Sequence, residues 1–199
     1  MKKQLAIFDF DGTIYKGDIT LDFIIFFYRK YPLRIYFILF QVVILILYMC
    51  RIINKTKAKY LMLQFTKYIY NINEFVSLFH KSILTDKFNQ NVINRLIFLK
   101  QNNNNLLCIS ATPDFIIEKL CISLGFDDII ATKTVFKNNK LISLGPNCRG
   151  HEKIAMLKQK YNINDYIITE AYSDNKDDIN LLKLSIKPFF IKNNKIVPL

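Results

Sequence analysis

Residues 4–13 read Gln4-Leu5-Ala6-Ile7-Phe8-Asp9-Phe10-Asp11-Gly12-Thr13, an apolar run that ends in two carboxylates, a glycine and a hydroxyl. Such a run predicts a buried strand over residues 4–10 whose C-terminal end carries the polar groups. Aspartates at i and i+2 on a straight strand would face opposite sides of a sheet. The chain must therefore leave strand geometry at Phe10-Asp11, which Gly12 permits. Working outward, residues 87–99 predict a helix, 105–110 a strand, 113–124 a helix closed by Gly125, and 129–136 a strand. Asn138-Asn139 suits a hairpin turn into 140–144. Helices over 150–161 and 177–184 and strands over 166–171 and 188–191 complete the alternation. This pattern implies an α/β fold, a mainly parallel sheet with helices on both faces that binds its ligands at strand C-termini.

Composition narrows the class of partner. The 199 residues carry 28 Lys+Arg against 16 Asp+Glu, a formal net charge of +12, and 51% are hydrophobic. A chain both basic and apolar suits an anionic, partly apolar partner, either nucleic acid or an anionic membrane. Five Gly and five Pro leave little room for disordered linkers, so one core domain with an insertion is expected. Cys50, Cys108, Cys121 and Cys148 form no CxxC pair, which argues against a zinc site or a disulfide framework and suits a reducing cytosol. The N-terminal residues meet Asp9 too early for a signal-peptide core, so no secretion signal is expected.

Four polar clusters each follow a predicted strand or open a helix: Asp9/Asp11/Thr13, Ser110-Ala111-Thr112, Lys153, and Ser173-Asp174-Asn175 with Asp178. Taken singly, each has a plainer reading, Ser110 as a helix cap for instance. Taken together, at the ends of adjacent parallel strands, they surround one ligand. The run DFDGT, the later CISAT, the downstream Lys153 and the run SDNKDD resemble the four-motif signature of the haloacid dehalogenase superfamily, across the whole core. That resemblance implies a Rossmann-like three-layer core formed by residues 1–15 and 86–199, with a C1-type helical cap inserted at 16–85. It also implies a Mg²⁺-dependent phosphatase with Asp9 as nucleophile, forming an aspartyl-phosphate, and Asp11 as general acid and base. Asp9, Asp174 and the Asp11 carbonyl would hold Mg²⁺. Ser110, Ala111, Gly12, Thr13 and Lys153 would bind the phosphate, and Asp178 and Asn175 would stand behind them, Asp178 orienting Lys153 or a metal-bound water. Phosphoryl transfer needs an in-line nucleophile, a proton donor and cations on the equatorial oxygens, and these residue types supply them.

The insertion holds 11 Lys+Arg and 4 Asp+Glu between residues 16 and 88, so 11 − 4 = +7 of the net charge lies there. Residues 35–50 are 16 consecutive uncharged residues, IYFILFQVVILILYMC. As a helix they would span about 24 Å, short of the ~30 Å hydrocarbon core. A single crossing would also separate Asp9 from Ser110. A buried cap helix and an interfacial hairpin of 21–28 with 35–50 remain, and the basic flanks favour an anchor on anionic lipid. The basic charge lies beside apolar helices rather than among stacking residues, and no nucleic-acid motif is present, so nucleic acid is not the expected partner.

The cap after DFDGTIYKGD, the run Asn147-Cys148-Arg149-Gly150-His151-Glu152-Lys153 and the run Tyr172-Ser173-Asp174-Asn175 are similar to the phosphatidylglycerophosphatase C family, within the phosphoserine-phosphatase-like subgroup. This implies a membrane lipid phosphate such as phosphatidylglycerophosphate as substrate, met at the cytoplasmic side of the inner membrane by a peripheral or monotopic protein. A soluble phosphomonoester, such as phosphoserine, a sugar phosphate or a nucleotide, is the alternative. The early cap acid with which phosphoserine phosphatases hold the amino group has no obvious match near Asp18 and Asp22.

Overall fold

The computed structural model describes residues 2–83 and 85–199. Its strands are β1 (Lys3–Phe8), β2 (Asn105–Pro113), β3 (Asp128–Thr132), β4 (Thr134–Lys137), β5 (Lys140–Leu144), β6 (Tyr166–Ser173), β7 (Lys187–Lys192) and β8 (Lys195–Pro198). The helices are α1 (Ile19–Lys30), α2 (Phe37–Met49), α3 (Lys55–Met62), α4 (Ile72–Ser82), α5 (Gln90–Gln101), α6 (Asp114–Ser123), α7 (His151–Lys160) and α8 (Ile179–Leu182). Six strands form one sheet in the order β3-β2-β1-β6-β7-β8, parallel except for the edge strand β8. Side chains on successive residues of β1 point to opposite faces. Ala6 and Phe8 enter one apolar core with α1, α4, α5 and α6, while Leu5 and Ile7 enter another with α7 and α8. The result is the three-layer α/β arrangement that the alternation predicts.

The predicted strand over 129–136 is two strands. β3 stays in the sheet, and β4 turns away to pair with β5 as a separate antiparallel hairpin. Asp114 at the start of α6 causes the break, because its Oδ1 accepts the Thr134 N–H (3.1 Å) and hydroxyl. β8 went unpredicted, although its Asn193-Asn194 turn (φ 50° and 61°) repeats the geometry of Asn138-Asn139 (φ 49° and 60°). The helix predicted over 177–184 is shorter, a 3₁₀ turn over Lys176–Asp178 followed by α8.

The segment between β1 and α5 is helical, but not as a hairpin of α1 with α2. Arg51, at φ 59°, reverses the chain so that α3 packs back along α2. Gln41, the one amide on α2, is buried between Tyr28 Oη, which donates to its Oε1 (2.7 Å), and the Met62 carbonyl, which accepts from its Nε2 (2.9 Å). These two bonds fix the rotation of α2. α1 and α4 lie against α6: Phe23 meets Phe75, Phe79 and Phe115 edge-on at 5.3–5.7 Å, and His80 Nε2 lies 2.6 Å from the Ile116 carbonyl.

Across the sheet, Phe8, Tyr172 and Phe189 stand in register on β1, β6 and β7, with rings stacked at 4.6 and 5.0 Å. The Tyr172 hydroxyl donates to buried Glu170, and Arg95 on α5 donates to Glu170 Oε2 (2.9 Å) and to the tyrosine oxygen (3.2 Å). Burial alone would raise the Glu170 carboxyl, but the bonds from Arg95 and Tyr172 hold it below the ordinary glutamate value. A depressed carboxyl contributes stability that is present above its unfolded value and lost as pH falls through the folded one. Arg95→Met leaves the carboxylate buried without its cation, so it should lower the unfolding free energy at pH 7 by about 2 kcal/mol. The unpaired carboxyl then titrates above its unfolded value, so the deficit against wild type should narrow below pH 5. Denaturant titrations at both pH values check this.

Candidate active site

The C-terminal ends of β1, β2 and β6 meet where the strand order reverses around β1, the usual ligand position in such sheets. Asp9 keeps one sheet bond, its N–H donating to Tyr172 O (2.9 Å), before the chain turns. The Phe10 carbonyl then accepts from Ile14 and Tyr15 N–H, and Gly12 N–H donates to Tyr15 O at 2.7 Å. Gly12 sits at φ +71°, and a β-carbon there would lie 2.0 Å from Asp174 Oδ2. Glycine is thus required twice, for the turn and for the approach of Asp174.

Asp9 Oδ1 accepts from Phe10 N–H (2.8 Å) and pairs with Lys153 Nζ (2.8 Å). Lys153, in the first turn of α7, is 2% exposed and also donates to Asp178 Oδ2 (2.6 Å). The Ser173 hydroxyl donates to that same oxygen (2.7 Å) and lies 3.3 Å from Asp9 Oδ2. Burial works against the Lys153 charge, yet Asp9 and Asp178 outweigh it and hold the ammonium above the ordinary lysine value. One cation shared by two carboxylates leaves negative charge uncompensated. Burial, with the Asp178 charge, therefore raises the Asp9 carboxyl despite Lys153.

Asp11 Oδ1 accepts from Ile19 N–H (2.8 Å), at the first residue of α1, and Oδ2 accepts from the Thr112 hydroxyl. Burial pushes its carboxyl up to about 7, against these two bonds. Asp174 is pushed up to about 6, by burial and then by the charge of Asp9. Its carboxylate makes no ion pair or side-chain hydrogen bond among the described residues, while its N–H donates to Thr13 Oγ1 (3.1 Å).

These groups surround a cavity of about 530 Å³ lined by Asp9, Asp11, Gly12, Ser110, Ala111, Lys153, Asp174 and Asn175. Of the sequence-predicted residues, Thr13 lies elsewhere. It is fully buried and ties the loop after β1 to Asp174, so its hydroxyl does not face the cavity. Asp178 is also buried, beneath Lys153 rather than beside Asp174. Asn175 lines the wall but spends its side chain capping Asp177 N–H (3.0 Å). Ser110 and Ala111 lie within β2, which continues to Pro113, so they do not open α6, and Ser110 Oγ accepts from Thr112 N–H at 3.1 Å. Thr112, the third residue of the predicted Ser110-Ala111-Thr112 cluster, lines it too, and the cavity also holds residues the sequence reading missed: Gly17, Asp18, Thr20, Lys55, Lys59 and Arg149. Lys55 and Lys59, spaced i and i+4, were visible only as a basic turn of the insertion.

The donor set fits a hard divalent cation. Asp9 and Asp174 supply carboxylate oxygens, and Lys153 is shared by Asp9 and Asp178, so the buried carboxylates outnumber the cation between them. Among the described residues no three His, Cys, Asp or Glu side chains form a closed metal cage, so other oxygens, such as the Asp11 carbonyl, would complete the shell.

Fold and site together define an α/β protein with a carboxylate and lysine centre at the switch point of its sheet. Residues 6–183 match the haloacid dehalogenase-like hydrolase family model, and the chain belongs to that family. No curated protein sequence matches it. Among solved structures, a protein of unknown function from Bordetella pertussis Tohama I is similar over 92% of this chain and 87% of its own, with TM-score 0.80 and 15% identity. A phosphoserine phosphohydrolase-like protein from Francisella tularensis is similar over 92% and 85%, with TM-score 0.62 and 16% identity. A phospho-aspartyl intermediate analogue of phosphoserine phosphatase is similar over 93% and 84%, with TM-score 0.57 and 20% identity. At these identities the likeness is one of fold.

Gly12→Ala should destabilise the protein by about 1–3 kcal/mol through its left-handed backbone and the contact with Asp174. Adding Asp174→Ala removes the contact and leaves the backbone strain. The double variant should then be more stable than the sum of the two single effects allows, which a double-mutant cycle by thermal unfolding reads directly.

Proposed function

We propose that the chain is a Mg²⁺-dependent phosphomonoester hydrolase acting through an aspartyl-phosphate on Asp9, with a phosphorylated membrane lipid such as phosphatidylglycerophosphate as substrate. The observation that carries the reaction is the pairing of a lysine-held carboxylate, Asp9, with a carboxyl two residues on, Asp11, whose hold on a proton burial strengthens, up to about 7. Asp9 attacks phosphorus as the bond to the leaving oxygen breaks, and Asp11 passes its proton to that oxygen. The Asp11 carboxylate then takes a proton from water, which attacks the aspartyl-phosphate, frees phosphate and restores Asp9. Lys153 keeps the Asp9 carboxylate aimed and offsets charge as the phosphoryl group arrives. When bound to Asp9, Asp174 and the Asp11 carbonyl, Mg²⁺ supplies charge neutralisation at the phosphoryl oxygens.

The lipid reading rests on α2. Nine of its 13 residues are exposed, all of them apolar or aromatic, including Leu39 (73%), Val43 (51%), Ile46 (52%) and Met49 (72%). Cations frame this face. Arg34 lies 4.2 Å over the Tyr68 ring and Lys67 5.0 Å over it at one end, and Arg51 follows the other end. An apolar face framed by cations and aromatics suits the surface of an anionic bilayer. No helix is long and apolar enough to cross a membrane among the described residues, so the contact we propose is peripheral or monotopic, at the cytoplasmic face of the inner membrane. A soluble phosphorylated metabolite is the second reading, favoured by a cavity lined almost wholly by polar groups and glycine.

A phosphate-release screen with and without Mg²⁺, covering phosphatidylglycerophosphate in mixed micelles and soluble phosphomonoesters, tests the reaction and ranks the substrates. Wild type should require the metal, Asp9→Asn should release no phosphate, and Asp11→Asn should be slowed by about 10²–10⁴-fold. Full activity of Asp9→Asn would remove it as nucleophile. For the membrane, Leu39→Glu/Ile46→Glu should abolish cosedimentation with anionic vesicles while shifting the unfolding free energy by less than about 1 kcal/mol, since both side chains are exposed. Unchanged cosedimentation would turn the lipid reading toward the soluble one.

A further inference from the structure

Beside the acids, the cavity lining carries three further cations. Lys55 and Lys59 project from α3 of the insertion, and Arg149 from the loop before α7. Lys59 Nζ donates to the Ala111 carbonyl (2.7 Å) and to Asn147 Oδ1, both neutral acceptors, which leaves one N–H unspent. Lys55 makes no side-chain hydrogen bond or ion pair among the described residues. Asp18 is the carboxylate on this wall, but it caps α1 through Leu21 N–H (3.0 Å) and pairs with neither lysine. Arg149 is held through Nε by Asp177 (2.9 Å). Burial, and then the charge of Lys55, lowers Lys59 to about 8, so this ammonium is desolvated without a counter-ion. Holding two lysines together in a partly buried wall is unfavourable unless an anion joins them. A latch between insertion and core would account for Lys59, but not for Lys55, which bonds to nothing.

Resting on the phosphomonoesterase reading above, we propose that Lys55, Lys59 and Arg149 form a second anion subsite of the same cavity, one that selects substrates whose leaving group carries a phosphodiester near the phosphomonoester. Asp9, Lys153 and the cation shell take the phosphomonoester, and the cap lysines take the second anion. Its chemistry follows from the donors. A planar carboxylate is matched by an arginine fork, whereas lysines act as point charges suited to a tetrahedral phosphate-type anion, and two of the three cations are lysines, with Arg149 giving its Nε to Asp177 (2.9 Å) and keeping its other N–H groups for the anion. Such an anion can come from a phospholipid headgroup or from a soluble diester.

The test compares kcat/KM with Mg²⁺ for three substrates: glycerol 1-phosphate; glycerol bearing a phosphomonoester at one end and a methyl phosphodiester at the other; and phosphatidylglycerophosphate in mixed micelles. Wild type should prefer the soluble diester-bearing substrate to glycerol 1-phosphate by at least tenfold. Lys55→Gln should cut that ratio about tenfold, and Lys55→Glu should reverse the preference. Lys59→Gln should do the same, and if it fails to fold the Lys55 variants carry the test. A further gain with the micellar lipid alone assigns that gain to the membrane face and leaves the subsite standing on the soluble pair. Equal rates on the two soluble substrates, or a ratio unmoved by Lys55→Glu, would overturn the subsite while leaving the phosphatase reading intact. Failure to hydrolyse any of the three would overturn the subsite, and the phosphatase reading with it if the wider screen of phosphomonoesters also releases no phosphate.

Discussion

The Lys153 ammonium, dry and held between Asp9 and Asp178, is the contact on which the rest of the site depends. A buried cation is tolerable only when its partners are in place, and removing one partner of such a pair typically costs about 3–5 kcal/mol. Asp9 comes from the end of β1, Lys153 from the start of α7, Ser173 from the last residue of β6 and Asp178 from the turn after it. These segments meet only if β1 and β6 are parallel neighbours, with α7 packed on the face that carries Leu5 and Ile7. Satisfying one ammonium therefore specifies strand order, strand direction and helix placement together.

Asp11 joins that centre to the insertion. One of its oxygens takes the first N–H of α1, and the other takes the hydroxyl of Thr112 on β2. The proposed acid is thus aimed by the insertion and the sheet at once. Lys59 adds a second tie from α3 to Ala111 and Asn147. Any displacement of α1 and α3 relative to the sheet breaks bonds to groups that line the cavity. This gives the inserted helices a physical route to the chemistry that contact with substrate alone would not.

What the residues alone made legible was set by local rules: the strand from Gln4 and the turn at Gly12 follow from periodicity and backbone freedom. The roles of the acidic clusters in one site, and of Asp178 as standing behind Lys153, came instead from the family resemblance. What stayed hidden depended on tertiary capture. The strand over 129–136 breaks because Asp114, some 20 residues earlier, takes hold of Thr134. Thr13 looks like a phosphate donor beside DFDG, yet its oxygen is claimed by the Asp174 N–H. Lys55 and Lys59 were two of many lysines until the reversal at Arg51 turned α3 toward the cavity. No rule of spacing states which of several basic residues will face a site when the helix carrying them is placed by Gln41 and Met62.

The excess of apolar and basic residues resolves into a geometry. Of the aromatic side chains in the first two helices of the insertion, Phe23, Phe27 and Phe37 are buried, and Phe26 packs against Phe75 and Phe79. These form the core of the insertion and need no partner. The exposed aliphatic residues of α2 lie on its outer side, and Lys55 and Lys59 of α3, packed against α2, line the cavity. The apolar face and the cavity lysines thus lie on different sides of one helix pair, while Arg34, Lys67 and Arg51 stay at the ends of α2. A nucleic-acid surface would need them interleaved, so that bases stack while phosphates pair. A substrate with an anionic head and an apolar tail needs them separated, with the head drawn into the cavity and the tail left at the α2 face. For the amphipathic phosphate we propose, that separation matters more than the amount of either property.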